Sequence, residues 1–106
     1  MDKHFFIFNS DKPSKKYMIK YYNNKTGNIN TIHFGLRNSE QYPDHKNIER
    51  RDRYIERHKK REDWTKNGIY TPGFWSRYLL WNLPNLDDSI KDIENKFKIK
   101  IYNKID

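Results

Sequence analysis

Lys16-Tyr17-Met18-Ile19-Lys20-Tyr21-Tyr22 alternates along its length. An extended chain places Tyr17, Ile19 and Tyr21 on one face and Met18, Lys20 and Tyr22 on the other. The turn-forming run Asn23-Asn24-Lys25-Thr26-Gly27-Asn28 follows, and Ile29 to Phe34 returns as a second strand ending at Gly35. Upstream, His4 to Asn9 is a short aromatic-rich strand, separated from Lys16 by the breaker cluster Ser10-Asp11-Lys12-Pro13-Ser14. Residues 1–37 therefore read as a three-stranded antiparallel meander.

Downstream of residue 43 the period changes. Pro43-Asp44 offers a break with an N-capping Asp, and no helix breaker follows until about Asp63, predicting a first helix from Asp44 to Glu62. Thr71-Pro72 is a second start signal, with Thr as N-cap and Pro at the first helical position. Phe74, Trp75, Tyr78, Leu79 and Trp81 form its apolar face, and Pro84 ends it. Asn85 opens a third helix whose first turn carries Asp87 and Asp88. Leu86, Ile90, Ile93 and Phe97 recur there at helical spacing and predict burial against the sheet, as Phe74, Tyr78 and Leu79 do from the second helix. Residues 98–102, Lys98 to Tyr102, alternate again and add an edge strand whose lysines discourage further pairing. The fold class is α+β: one domain over residues 1–106, a small antiparallel sheet packed with three helices from the 43–97 stretch.

Composition narrows the class of function. The chain has 106 residues with 22 Lys plus Arg against 14 Asp plus Glu, a formal charge of +8 and mean hydropathy of −1.24. Only 34% of residues are hydrophobic, yet 6 Phe, 8 Tyr and 3 Trp supply large burial areas. A disordered basic tail would lack those rings. The longest apolar runs, Phe5 to Phe8 and Tyr78 to Trp81, are far too short to span a bilayer, so no membrane partner is expected. The absence of Cys excludes disulfides and thiolate zinc sites, and no secretory signal is read. Ala and Val are absent while Lys, Asn, Ile and Tyr dominate, a pattern of AT-rich coding. Such coding inflates Lys but not Arg, so the placement of the arginines is the more informative signal.

That placement is concentrated in the first helix. At 100° per residue, Lys46, Arg53, Arg57 and Arg61 fall within about 60° of Arg50, with Lys60 bordering the stripe. Ile48 and Ile55 lie opposite and are expected to face the core, with Glu49, Asp52 and Glu56 between. Over Lys46–Arg61 the stripe would run about 22 Å, and forked guanidiniums at this spacing suit successive phosphates. The candidate nucleic-acid-binding residues are thus Lys46, Arg50, Arg53, Arg57, Lys60 and Arg61. A solvated helix face laced by Glu49–Arg53 and Glu56–Lys60 pairs is the plainer alternative. Trp64, Tyr54 or Tyr70 could also stack on a base, whereas the aromatic run 73–81 reads as core. Arg57-His58-Lys59-Lys60-Arg61 additionally matches a basic nuclear-localisation string.

Catalysis finds little foothold. His4, His33, His45 and His58 lie on different elements without metal-ligand spacing, and four scattered glycines form no phosphate loop. Asp87, Asp88 and Asp92 are better read as helix-terminal acids than as metal ligands. No enzyme activity, cofactor or metal is expected.

Thr31-Ile32-His33-Phe34-Gly35, Arg53-Tyr54-Ile55-Glu56-Arg57-His58, Gly73-Phe74-Trp75-Ser76-Arg77 and Leu79-Leu80-Trp81-Asn82 resemble successive blocks of an uncharacterised family of small basic proteins encoded by giant and other large DNA viruses of amoebae and algae. The resemblance covers roughly residues 15–102, and the loop Leu36 to Pro43 departs from the family's pattern. It implies a viral protein, a place in the virion, and host cytoplasm or nucleus during infection. It carries no catalytic residues. Two partners then follow: nucleic acid bound without sequence preference, or an acidic virion protein met by a minor capsid component.

Overall fold

Strand β2 (Lys15–Asn23) pairs antiparallel with β3 (Asn28–Leu36) in a register that sets Ile19 against Ile32 and Tyr17 against Phe34. Both strands extend a residue or two beyond the alternating stretches that predict them. β1 (Lys3–Asn9) pairs antiparallel on the other side, with Ile7 opposite Ile19. β4 (Ile99–Asn103) completes the sheet in the order β3-β2-β1-β4. The computed structural model describes residues 3–105. Its architecture is α+β, as expected, with the N-terminal meander and the C-terminal edge strand both present. The sheet is mixed, because β4 runs parallel to β1, with Ile101 beside Phe5. Alternation reports which face a residue takes and carries no information on strand direction.

One face of the sheet presents Phe5, Ile7, Ile19, Ile32, Phe34, Ile99 and Ile101, all buried. Against it lie Phe74, Trp75, Leu79, Leu80, Ile90, Ile93 and Phe97, forming one cluster with the strands. Trp75 is completely enclosed, and its indole N–H donates to the carbonyl of Ile69 at 2.8 Å. A polar ring atom buried in this way requires such a partner.

The helices form where capping chemistry allows. The expected single helix from Asp44 to Glu62 is two: α1 (Tyr42–His45) and α2 (Ile48–His58). Lys46 between them adopts the left-handed conformation at φ 54°. Asn47 is the stronger N-cap, its side-chain oxygen accepting from the N–H groups of Glu49 and Arg50 at 3.0 and 3.2 Å. Asp44 instead occupies the third position of α1 and closes a capping box with Gln41. The second helix starts as expected, with Thr71 capping Phe74 and Pro72 at its first position. α3 (Pro72–Trp75) then widens into a π-helical turn over Ser76–Leu80. α4 (Leu86–Phe97) is capped by Asn85 and buries Ile90, Ile93 and Phe97, with Leu86 half-buried. Phe74 and Leu79 are buried as expected, and Tyr78 is half-buried.

Two local devices hold the sheet's ends. Arg37 donates to the carbonyls of Ser10, Lys12 and Lys15 at 2.8–3.1 Å, tying β3 to the β1–β2 turn. Gly35 sits at φ 79°, where a Cβ would lie 2.8 Å from Leu80 Cδ1. Only glycine meets both demands.

Candidate nucleic-acid interface on α2

No residue of α2 is fully buried, so the helix rests on the domain through a polar and aromatic face. Tyr54 is sandwiched in a three-ring stack: its ring lies 4.6 Å from Trp81 at an interplanar angle of 5°, and 4.1 Å from His58 on the other side. Arg51 donates to the carbonyl of Asn82 at 3.1 Å, lies over the Tyr42 ring, and sends two further N–H groups to Oδ1 of Asp52. Ile55 is half-buried. Ile48, expected to face the core, is 53% exposed. The docking face is centred on Arg51, Tyr54, Ile55 and His58, about 60° away from the predicted apolar line. Stacked rings and a guanidinium's flat face bury area that hydropathy counts as polar.

That rotation leaves the basic residues outside. Arg50, Arg53 and Arg57 are exposed, Arg50 and Arg57 at the mouth of a groove beside the helix. Arg50 has the Glu40 carboxylate 3.8 Å away. Among the described residues, Arg53 and Arg57 have no carboxylate within 4.0 Å. The neighbouring acids are engaged elsewhere, Asp52 by Arg51 and Glu56 by Lys59 at 3.0 Å each. The expected Glu49–Arg53 and Glu56–Lys60 pairs are not formed. The helix contributes 11 residues, about 16 Å, so the stripe is shorter than the predicted 22 Å. Lys46 is exposed but belongs to the bend before α2, while Lys60 and Arg61 occupy the turn after it. The Arg61 guanidinium lies 3.4 Å from Nδ1 of His58. All six predicted cations are thus exposed, and three share one helical face.

The rings proposed for base stacking are spoken for. Tyr54 is enclosed in its stack, Trp64 lies under the Arg77 guanidinium, and Tyr70 is covered on one side by the Lys3 ammonium. Beside α2 a groove of about 480 Å³ carries Arg50, Arg57 and Lys15 together with Glu40 and Glu62. Its mixed charge gives no single ligand a preference. Asp87 and Asp88 sit in the first turn of α4, and Asp92 accepts from Asn82 and faces Lys96. Among the described residues no three His, Asp or Glu side chains converge, and no helix is long and apolar enough to cross a membrane.

The bend before α2 is built on a neutral imidazole. His45 Nδ1 accepts the Asn47 N–H at 2.9 Å, which leaves the ring proton on Nε2, a buried atom without a partner. Burial, and then the nearby Arg50 charge, hold the His45 proton affinity below the ordinary imidazole range. Burial, with Arg61 and Arg57, does the same at His58. Between the ordinary and the lowered values the unfolded chain binds more protons than the folded one, so acid favours unfolding. The urea midpoint should therefore be steady above about pH 6.5 and fall below it. Replacing His45 and His58 together by Gln should flatten that fall; a midpoint that rises on acidification would contradict the assignment.

Residues 7–58 match a family model described as a family of unknown function, DUF5754. The match runs from within β1 to the last residue of α2, and ends before the tryptophans of the core. No curated protein and no solved structure matches the chain.

Proposed function

We propose that this chain is a non-enzymatic protein that binds nucleic acid through its phosphate backbone, using Arg50, Arg53 and Arg57 on α2 with Lys46, Lys60 and Arg61 at its ends. The observation that supports this reading is the pairing pattern on the helix. Asp52 and Glu56 are taken up by Arg51 and Lys59, so the outward guanidiniums of Arg53 and Arg57 remain unneutralised. Contacts of this kind fix position on a polyanion and read no bases. The net charge of +8 favours the same partner at longer range. The resemblance to small basic proteins of large DNA viruses extends the proposal to a protein packaged with a viral genome.

A docking site for an acidic virion protein is the second reading, since carboxylates of a partner would meet the same unneutralised Arg53 and Arg57. Salt separates the two. With about five phosphates neutralised, log affinity for a labelled duplex should fall against log salt with a slope of about −4 to −5. Fluorescence anisotropy at two or more salt concentrations measures it. Absence of duplex binding, or binding indifferent to salt, would overturn the nucleic-acid reading.

A further inference from the structure

The face of the sheet turned away from the helices has an unusual composition. The chain holds 14 acidic residues, yet none lies in any of the four strands. Alternation sends His4, Phe6 and Phe8 of β1 to this face, with Met18, Lys20 and Tyr22 of β2. Ile29, Thr31 and His33 come from β3, and Lys100 and Tyr102 from β4. An antiparallel sheet with one solvated face ordinarily shows polar residues there. Here Tyr22 is 58% exposed and Tyr102 39%, and the rings of Phe6 and Phe8 are half-exposed.

The rings and cations are ordered across the strands. Phe6 is the register partner of both Tyr102 and Lys20, and His4 that of Lys100. Phe6 and Tyr102 stack at 4.7 Å and 16°, and His4 also stacks on Tyr102 at 5.7 Å, with Nδ1 3.0 Å from its hydroxyl. The result is a row of three near-parallel rings flanked by two lysines.

We infer that this face is a base-stacking platform for single-stranded nucleic acid, with Tyr22 and the face of Phe6 turned from Tyr102 meeting bases, Tyr102 bracing Phe6 from its other side, and Lys20 and Lys100 meeting phosphates. The inference rests on the nucleic-acid reading and narrows its partner. A duplex keeps its bases stacked inside and offers a flat sheet only phosphates, whereas a single strand offers both phosphates and ring faces. Charge complementarity selects the occupant: Asp11 borders the face at His33, 3.8 Å away, but the strands themselves bring only lysines, so two copies would repel, and an acidic protein surface would leave the rings without aromatic partners.

The test uses the full chain, a labelled oligothymidylate of about 12 nucleotides and a labelled duplex. Tyr102→Thr and Tyr22→Thr keep strand propensity, and circular dichroism checks that the fold survives. The double variant should bind oligothymidylate at least about tenfold more weakly while duplex binding is unchanged. Should those variants fail to fold, Lys20→Gln with Lys100→Gln reads the same face, lowering the single-strand salt slope by about 1.4. Oligothymidylate binding indifferent to the sheet variants but lost with the α2 arginines would overturn the platform and leave the proposed function standing. Failure of the wild-type chain to bind either probe would overturn both. A wild-type dimer in sedimentation velocity that Tyr102→Thr converts to monomer would assign the face to a second copy and overturn the platform alone.

Discussion

Replacing Trp75 by Ala is expected to destabilise the domain by about 3–5 kcal/mol. The indole is fully enclosed between the sheet and the helical layer, touching Phe5 at 5.2 Å and Phe74 at the same centroid distance. Its loss removes the ring's burial, opens a cavity where both layers are rigid, and strands the Ile69 carbonyl that the indole N–H now satisfies. Domains of this size hold about 5–15 kcal/mol in total, and lose about 4–8 °C of melting temperature per kcal/mol. A fall of at least about 12 °C, or failure to fold, is therefore the expected result in a thermal melt. Trp81→Ala supplies the contrast. Trp81 is half-buried, stacks on Tyr54 and meets the His45 ring at a tilt of 49°, so its removal should loosen α1 and α2 and leave the sheet core standing. Similar melting temperatures for the two variants would show that Trp75 does not have the role its enclosure implies.

The contrast between the two tryptophans also marks what a sequence can disclose. α4 was legible because its apolar residues recur at one helical spacing and Asn85, Asp87 and Asp88 signal its start. The strands were legible because Ile19, Ile32 and Ile7 alternate with polar or aromatic neighbours. α2 was only half legible. Its basic stripe could be placed, since guanidiniums avoid a core. Its inner face could not, because a Tyr54 ring between Trp81 and His58, and an Arg51 flattened on Tyr42, are docking contacts that hydropathy scores as solvent-seeking. Arg51 carries no signal separating it from Arg50 or Arg53 except its angle on the helix, and that angle has meaning only once the docking side is known. The break at Lys46 was equally hidden. Asp44 and Asn47 are both competent caps, and the choice between them depends on Gln41 and His45 meeting them in space. The ring-bearing sheet face required the fourth strand, since Tyr102 joins Phe6 only through the pairing of β1 with β4.

Replacing Arg50, Arg53 and Arg57 together by Gln should weaken duplex binding by two to three decades at about 0.1 M salt. Each phosphate contact releases close to one counterion, contributing about 0.9 to the slope of log affinity against log salt. Three contacts removed should flatten a slope of about −4 to −5 by nearly three units, and the variant and wild-type lines should converge as salt approaches 1 M. The fold should be indifferent to the change. All three side chains are exposed and none is buried in the core, the Asn47 cap is untouched, and Arg51, Tyr54, Ile55 and His58 still dock the helix. Arg51→Gln is the informative companion, because that guanidinium is spent on Asn82, Asp52 and Tyr42. Its loss should lower stability and leave the salt slope where it was. A triple variant with the wild-type slope would move the phosphate contacts off α2. A triple variant that binds weakly at every salt concentration, with no change of slope, would mean that the arginines act on duplex binding without releasing counterions, and would overturn their assignment as phosphate contacts.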